Sequence, residues 1–463
     1  MFLKGNLVYK IVSGRKDMNK YPLIGKCLAV GIILLFIGTV IIPSSGQKIE
    51  KASSASRGNW LYVGGSGPGN YTTIQDAINA SSDGDTVFVF QGIYYEKVLI
   101  NKSIFVLGEN TNNTFINDSY EPDWTSQVVR ISSHNVVFSG FTVIVEQGDG
   151  VGIRLSNSRN GTVSHNIVKA SCGIHLGDSS YNVIENNSFF TKAYGIYHWD
   201  YTTNTSYNII RYNWFTNAGG TNHLHESGIS FWVFARDNVI SSNYFYHCSD
   251  YAIYSNSPYR NIIERNIIQG NNSRGISIYI EYSDYFPPGN IIRQNDIAGC
   301  ALGIGLTGDY FTVENNFIHD NDWSIQITPF SCYHVTISNN TFLNDTSVGL
   351  VFENGKQGSV VERNIFHDCG AALDLYQCNG LTVQHNNITG SIRAIYSAES
   401  KADVIFQNNL IGNHRNVLSL FSRDIWKGNY WDEPLNHPKL IMGILPFIQF
   451  DWHPAQQPYD IPG

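Results

Sequence analysis

A six-residue phrase, apolar-x-x-Asn-x-apolar, recurs along this chain: VSHNIV from Val163, IENNSF from Ile184, ISSNYF from Ile240, IERNII from Ile263, VENNFI from Val313 and VERNIF from Val361. Aligned on the asparagine, the series is Asn166, Asn187, Asn213, Asn243, Asn266, Asn295, Asn316, Asn340, Asn364, Asn386, Asn408 and Asn429. Its steps are 21, 26, 30, 23, 29, 21, 24, 24, 22, 22 and 21 residues. A second phrase stands between them: Gly152-Ile-Arg-Leu, Gly173-Ile-His-Leu, Gly195-Ile-Tyr, Gly228-Ile-Ser-Phe, Gly275-Ile-Ser-Ile, Gly303-Ile-Gly-Leu and Gly349-Leu-Val-Phe, with Ala252-Ile and Ala394-Ile as variants. A period near ~22 residues with short segments inside it marks a stacked coil. Helical solenoids need longer repeats and a 3.6-residue period, and the leucine lattice of leucine-rich repeats is absent. The local period here is two, so each rung holds short strands that meet the same strands one turn later in parallel sheets. Parallel crossovers are right-handed. The expected fold is all-β: a single-stranded right-handed parallel β-helix, a three-sheet solenoid of about 12 or more rungs.

The asparagine has two uses in such a coil. It tolerates left-handed backbone angles, which places it at the bend of a sharp turn. Its amide, stacked above the previous one, donates and accepts along the axis as a ladder. The glycine before isoleucine suits a second corner where a Cβ would crowd.

Composition agrees. The chain has 463 residues, too many for one ordinary core, and only 15% are charged, while Gly 42 and Tyr 27 suit turns and strands. The net charge of −8 excludes a basic nucleic-acid footprint. Twelve rungs at roughly 4.8 Å give a rod on the order of 60 Å, whose ends are open sheet edges that need covers. Residues 72–80, Thr72-Thr-Ile-Gln-Asp-Ala-Ile-Asn-Ala80, offer a capping box and helically spaced apolar positions for the front. The tail, 430–463, abandons the repeat, is rich in Pro and aromatics, and is read as a lid.

The N-terminus is separate. Lys16, Lys20 and Lys26 precede an uncharged run, Cys27–Ile42, and then Pro43-Ser-Ser-Gly46. Residues 1–46 read as a signal peptide or a single membrane anchor, and 47–58 as a linker. The domain reading continues with 59–150 as the N-terminal cap and first rungs, 151–429 as the repeats and 430–463 as the C-terminal cap. Both readings of the leader place the remainder outside the cytoplasm: secreted, periplasmic or at the cell surface. Beyond residue 46 the chain carries 24 basic against 37 acidic residues, a balance of −13. Six cysteines lie beyond Cys27. Export favours disulfides, but no two occupy one column on adjacent rungs, and two turns, roughly 10 Å, exceed disulfide reach. Small, buried, free thiols are expected.

GIYYEKVLINKSIFVLGEN, Gly92–Asn110, preceded by YTTIQDAINASSDGDTVFV, resembles the opening of pectin-lyase-like β-helix proteins. The asparagine phrases are similar to repeats shared by carbohydrate-binding proteins, sugar hydrolases and NosD-type periplasmic copper-assembly proteins. GNYWDEP, Gly428–Pro434, resembles the closing phrase of archaeal and NosD-like members. The resemblance covers most of 60–435. It implies the fold, and leaves lyases, hydrolases, esterases, epimerases and non-enzymes open. Gly92, Tyr94 and Glu96 match the pectinesterase turn, but that family's later paired-Asp phrases are absent. The polygalacturonase motifs and the Asp-Pro-His of uronate epimerases are absent too.

Strand alternation aims the side chains. In each Gly-Ile-x-apolar phrase the Ile points in and the next residue out. The outward column reads Arg154, His175, Tyr197, Ser230, Tyr254 and Ser277, with Trp199, Trp232 and Tyr279 two residues further on. Aromatic faces suit sugar rings, and the surrounding arginine and acids suit hydroxyls or uronate carboxylates. Arg154, His175, Tyr197, Trp199, Trp232 and Tyr254 are the candidate carbohydrate-binding residues, though such rings also pack against long loops. The same rungs hold His198, Asp200, His223, His225 and Glu226. A lyase needs a base and a cation, and a glycosidase two carboxyl groups; Asp200, His225 and Glu226 are the catalytic candidates, against the plainer reading of a polar loop. His223-x-His225-Glu226 lacks helical His-Glu-x-x-His spacing, so no zinc site is assigned. Copper through thioether is disfavoured, since the methionines are only Met1, Met18 and Met442. No cofactor is evident, and calcium stays open. Glycosylation triplets occur at Asn70, Asn101, Asn117, Asn160, Asn204 and Asn344. The expected partner is a polysaccharide or surface glycan, bound by a monomer, with the membrane touched only through the N-terminal segment. Two functions remain: a carbohydrate-binding β-helix, with or without lyase or hydrolase activity, or a non-catalytic envelope or NosD-like assembly protein.

Overall fold

The structure is a computed structural model and describes residues 58–461, apart from 119–125, 147, 200–204, 218–224, 233–234, 281–288, 329–331, 442 and 444–447. The leader or anchor at 1–46, the linker as far as Arg57, and Asp200, Asn204 and His223 lie outside the described residues.

Short strands stack in parallel over the whole of the repeat. One sheet has 18 strands and the other 27. Thr162–Ser164 pairs with Val183–Glu185, which pairs with Ile209–Arg211, residue for residue. The second sheet carries two faces of the coil: the strand after the asparagine corner and the Gly-Ile-x-apolar strand. In two rungs these run as one 11-residue strand through the bend, Ile167–Gly177 and Ser188–His198. The coil keeps three faces, each with its own ladder of pairings, and these two long strands join two of the ladders into one bonded sheet. Alternation puts one apolar column inside each face, such as Val163, Ile184, Ile210, Ile240 and Ile263, all buried. Phe189, Phe215 and Phe245 stack along the axis, with centroids 4.8 Å apart at each step.

The asparagine corner differs from the sequence expectation in one respect. The left-handed residue is the one before the ladder asparagine: His165 (φ 52°), Asn186 (54°), Tyr212 (56°), Ser242 (54°), Arg265 (55°) and Gln294 (55°). The ladder asparagine takes no left-handed angle and is at most 2% exposed at all twelve positions. The physical reason is a division of labour. The bend residue aims its side chain at solvent, so many types serve. The next residue aims inward and must answer the turn's polar groups. Asn187 Oδ1 accepts from the Asn166 backbone N–H (3.0 Å) and Nδ2 (3.1 Å), while Asn187 Nδ2 donates to Val163 O (2.9 Å) and to Asn213 Oδ1 (3.1 Å). The last ladder member, Asn429, donates to Asp451, which is fully buried and has only acceptors to offer.

A second ladder, absent from the sequence reading, runs through Asn182, Asn208, Asn238, Asn261 and Asn290, with backbone N–H to Oδ1 distances of 2.9–3.1 Å. Each sits five residues before a member of the first, so the signal was present as a fixed offset. The glycine corner is as crowded as expected: a Cβ at Gly173, Gly195 or Gly275 would lie 2.3–2.4 Å from the carbonyl oxygen of the next rung. The six cysteines beyond Cys27 are buried and free, and burial pushes the Cys172, Cys248 and Cys300 thiols up to about 12. Of the glycosylation triplets, Asn101, Asn160 and Asn344 are exposed, whereas Asn117 is 5% exposed and bonded to Glu146, which removes it as an acceptor site.

At the front, α1 (Ile74–Ala80) is capped by Thr73, whose hydroxyl accepts from Asp76 N–H at 3.1 Å. The Glu96 of the Gly-x-Tyr-x-Glu turn accepts from both Ile74 N–H (2.8 Å) and Gln75 N–H (2.9 Å), and Lys102 Nζ donates to the carbonyls of Ile78, Asn79 and Ser81. One anion and one cation thus close the two ends of a helix too short to hold itself. Glu96→Ala is expected to cost about 2–3 kcal/mol, read by denaturant unfolding. A loss below about 0.5 kcal/mol would show that the turn glutamate does not hold the helix.

Candidate functional site

The outward column is a pairing register. Arg154 lies beside His175, His175 beside Tyr197, Tyr197 beside Ser230, Ser230 beside Tyr254, Tyr254 beside Ser277, Ser277 beside Gly305 and Gly305 beside Gln326. Rings in such a column stand like plates along the axis. His175 and Tyr197 stack at 4.6 Å. Ser230 leaves a gap on the next rung, and His225 fills it, its ring stacked on Tyr254 at 4.2 Å and 11°. His225 sits at φ 60°, the left-handed turn that carries its ring there.

Past Tyr254 the rings stop. Ser277 and Gly305 follow, and they form the floor of a notch of about 520 Å³. A Cβ on Gly305 would stand 3.1 Å from Ser277 Oγ, so the floor has no depth to spare. Tyr254, Trp232, His225 and Tyr251 form the wall on one side; Arg274, Asn256, Tyr279, Thr307, Gln326 and Thr328 supply polar groups around it. Arg274 Nη1 donates to Tyr251 Oη at 2.7 Å, and Thr307 and Thr328 share a hydroxyl bond of 2.8 Å. A second cavity of about 280 Å³, lined in part by Asp322 and Trp323, shares Arg274, Leu302 and Gln326. The groove thus widens sideways, toward the starts of the strands on the same rungs.

Of the sequence candidates, His225, Trp232 and Tyr254 line this notch. Arg154, His175 and Tyr197 stand on earlier rungs behind the ring wall. Trp199 meets Trp232 edge to face at 5.6 Å and is 36% exposed, outside the notch lining. Glu226 is 5% exposed and accepts from Ser249 Oγ (3.3 Å) instead of lining the groove. His198 points inward, fully buried, with Nδ1 against Leu176 O (2.8 Å) and Thr205 Oγ1 (3.0 Å). Sequence reasoning missed Tyr251, Arg274, Asn256 and Gln326. It also took Ser277 as one more column member. Reading the column for gaps as well as for rings would have found the notch.

Electrostatically, burial lowers the His225 imidazole below its usual value and Arg274 adds to this, while Asp250 opposes. His225 is therefore neutral at pH 7. Burial and neighbouring Glu226 raise the Asp250 carboxyl. The wall is aromatic with a neutral imidazole, the rim carries a cation, and among the described residues no carboxylate lines the notch itself.

A family model for the right-handed beta helix region matches residues 152–284 and 277–411. A cell surface glycoprotein of Methanothermus fervidus is 28% identical over 280 residues, which is 52% of this chain and 40% of that protein, so the chain spans well under half of that relative's length. Among solved structures, the Dettilon tailspike protein has a TM-score of 0.52 at 16% identity over 63% of this chain and 62% of that one. A mannuronic acid-specific polysaccharide lyase from human gut microbiota has a TM-score of 0.48 at 13% identity over 71% and 87%. At such identities the tailspike likeness speaks to the fold alone.

Proposed function

Because the chain belongs to the right-handed β-helix family, we propose that it is a carbohydrate-binding β-helix of the cell exterior, with the notch beside Tyr254 as its saccharide site. One observation carries this reading: beyond Tyr254 the ring column gives way to a floor without side-chain bulk, bordered by aromatic side chains and ringed by groups that suit hydroxyls. A sugar ring offers an apolar face to stack and equatorial hydroxyls to bond. The resemblance to a cell surface glycoprotein supports the location; the tailspike likeness supports the fold on which such a site sits.

Ser277→Trp fills the notch from an outward position without touching the core. It is expected to lower affinity for whichever glycan an array identifies by about 100-fold, with an unchanged unfolding midpoint. Retention of full affinity would place the site elsewhere. Trp232→Ala is expected to weaken the same binding, and Trp199→Ala to leave it near wild type.

A second reading, a uronate lyase, is favoured by the neutral His225 next to Arg274 and Tyr251. A base withdraws the proton beside a carboxylate, the guanidinium holds that carboxylate, and the phenol returns a proton to the leaving oxygen. It predicts an unsaturated product absorbing in the ultraviolet from a polyuronate, lost in His225→Ala. Saccharide binding without such a product would leave the binding function alone.

A further inference from the structure

The strand after the asparagine corner turns a different face outward, and it carries its own run of exposed rings. Phe190 is 47% exposed and Trp214 41%. Trp214 stacks on Tyr244 at 4.4 Å and 18°, but its register partner on the preceding rung is Ser188, which brings no ring. One face of the Trp214 indole is therefore left uncovered by the stack. Phe190 borders a cavity of about 390 Å³, shared with Thr191, Lys169, Lys192, Thr216 and Glu146. Thr191 is 4% exposed, and its Oγ1 has no hydrogen-bond partner. A buried hydroxyl left unsatisfied costs stability unless something answers it. Among the described residues Lys169 and Lys192 form no ion pair, and Glu146 accepts from the neutral Asn117 amide, so two cations stand against one carboxylate around the cavity.

We infer that this cavity is a second saccharide site, separate from the Tyr254 notch, for a sugar unit carrying a carboxylate or sulfate. Phe190 offers apolar contact, the Thr191 hydroxyl answers a ring hydroxyl, and the two lysines hold the anionic group. The site stands on geometry that the first one does not share, so the two readings fail independently.

The test uses the full chain carrying Ser277→Trp, titrated calorimetrically with hexagalacturonate and, separately, with neutral cellohexaose. Expected is one remaining site for the acidic hexamer, weakened by raising the salt, and weaker binding of the neutral one. Lys169→Gln with Lys192→Gln, and separately Phe190→Ala, should each lower acidic-hexamer affinity about tenfold or more. Absence of acidic-hexamer binding in Ser277→Trp, or wild-type affinity in both the lysine and the Phe190 variants, overturns the proposal. A concentration-dependent dimer abolished by Trp214→Ala would assign the strip to a second copy of the chain and overturn it as well. Unchanged thermal unfolding in each variant separates loss of the site from loss of the fold.

Discussion

Replacing Asn266 with leucine is expected to lower the unfolding free energy by about 2–6 kcal/mol. Asn266 accepts from the Asn243 backbone N–H (3.0 Å) and Nδ2 (3.1 Å), and its own Nδ2 donates to Ile240 O (3.0 Å) and Asn295 Oδ1 (3.0 Å). The residue is fully buried. Leucine branches at the same Cγ and is the bulkier of the two, so no cavity opens and the loss is polar, with any overpacking added to it. A backbone N–H and a carbonyl are left without partners where water does not reach, and each costs about 1–3 kcal/mol. The neighbouring Arg265 provides the contrast. It occupies the left-handed position at φ 55° with its side chain exposed, so Arg265→Gly is expected to fall within about 1 kcal/mol of wild type. Denaturant unfolding of the two variants measures both. Similar costs for the two would show that the bend itself, and not the buried amide, sets the need for asparagine.

Asp403→Asn is expected to gain stability over wild type as pH rises, by up to about 5 kcal/mol near pH 8.5. Asp403 is fully buried. Burial, and then neighbouring Asp424, raise its carboxyl to about 8. One oxygen accepts from the Leu381 N–H at 2.9 Å, whereas Asp403 Oδ2 and Asp424 Oδ1 have no hydrogen-bond partner. The sign follows from proton counting. A carboxyl raised in the folded state binds a proton there that the unfolded chain has already released. Its contribution is fully present below the unfolded value of about 3.8 and is lost as pH rises through the folded value of about 8. Asparagine stays neutral at every pH and keeps the acceptor for Leu381. The difference between variant and wild type should therefore be small at pH 4 and grow steadily to pH 8. Asp345 behaves alike: burial raises it to about 7, at 1% exposure, where it accepts from the Asn321 N–H at 3.3 Å. Asp345→Asn should show the same trend, complete about one pH unit earlier. A stability difference that does not change between pH 4 and pH 8.5 would mean that these carboxyls are not held neutral by the fold.

Both predictions arise from the same structural rule. Every turn of the coil leaves backbone N–H groups facing inward, and a short polar side chain from the next turn must reach each one. Asn serves mid-ladder because it donates as well as accepts. Asp serves where the ladder ends, as at Asp451, or where inward N–H groups need an acceptor, as at Asp403 and Asp345. The buried carboxyls are thus a variant of the asparagine ladder that accepts as the amide does, at the cost of a protonation state tied to pH.

The period, the parallel stacking, the inward apolar columns, the crowded glycine corner and the free thiols were all legible in the residues, because each repeats with the turn and repetition places like above like. The outward register from Arg154 to Ser277 was legible for the same reason. What the sequence by itself left undecided was anything set by departures from the repeat. Only the tertiary structure shows that His225, off the column in sequence, swings into the space left by Ser230. It also turns Glu226 and His198 away from the groove, though they lie close to it in the chain. The notch exists because two small side chains follow a ring, and an empty space has no residue type to announce it. A periodic pattern determines where each side chain stands along the axis. Where a loop folds back, and which face of a ring it leaves open, depends on contacts between residues that share no period.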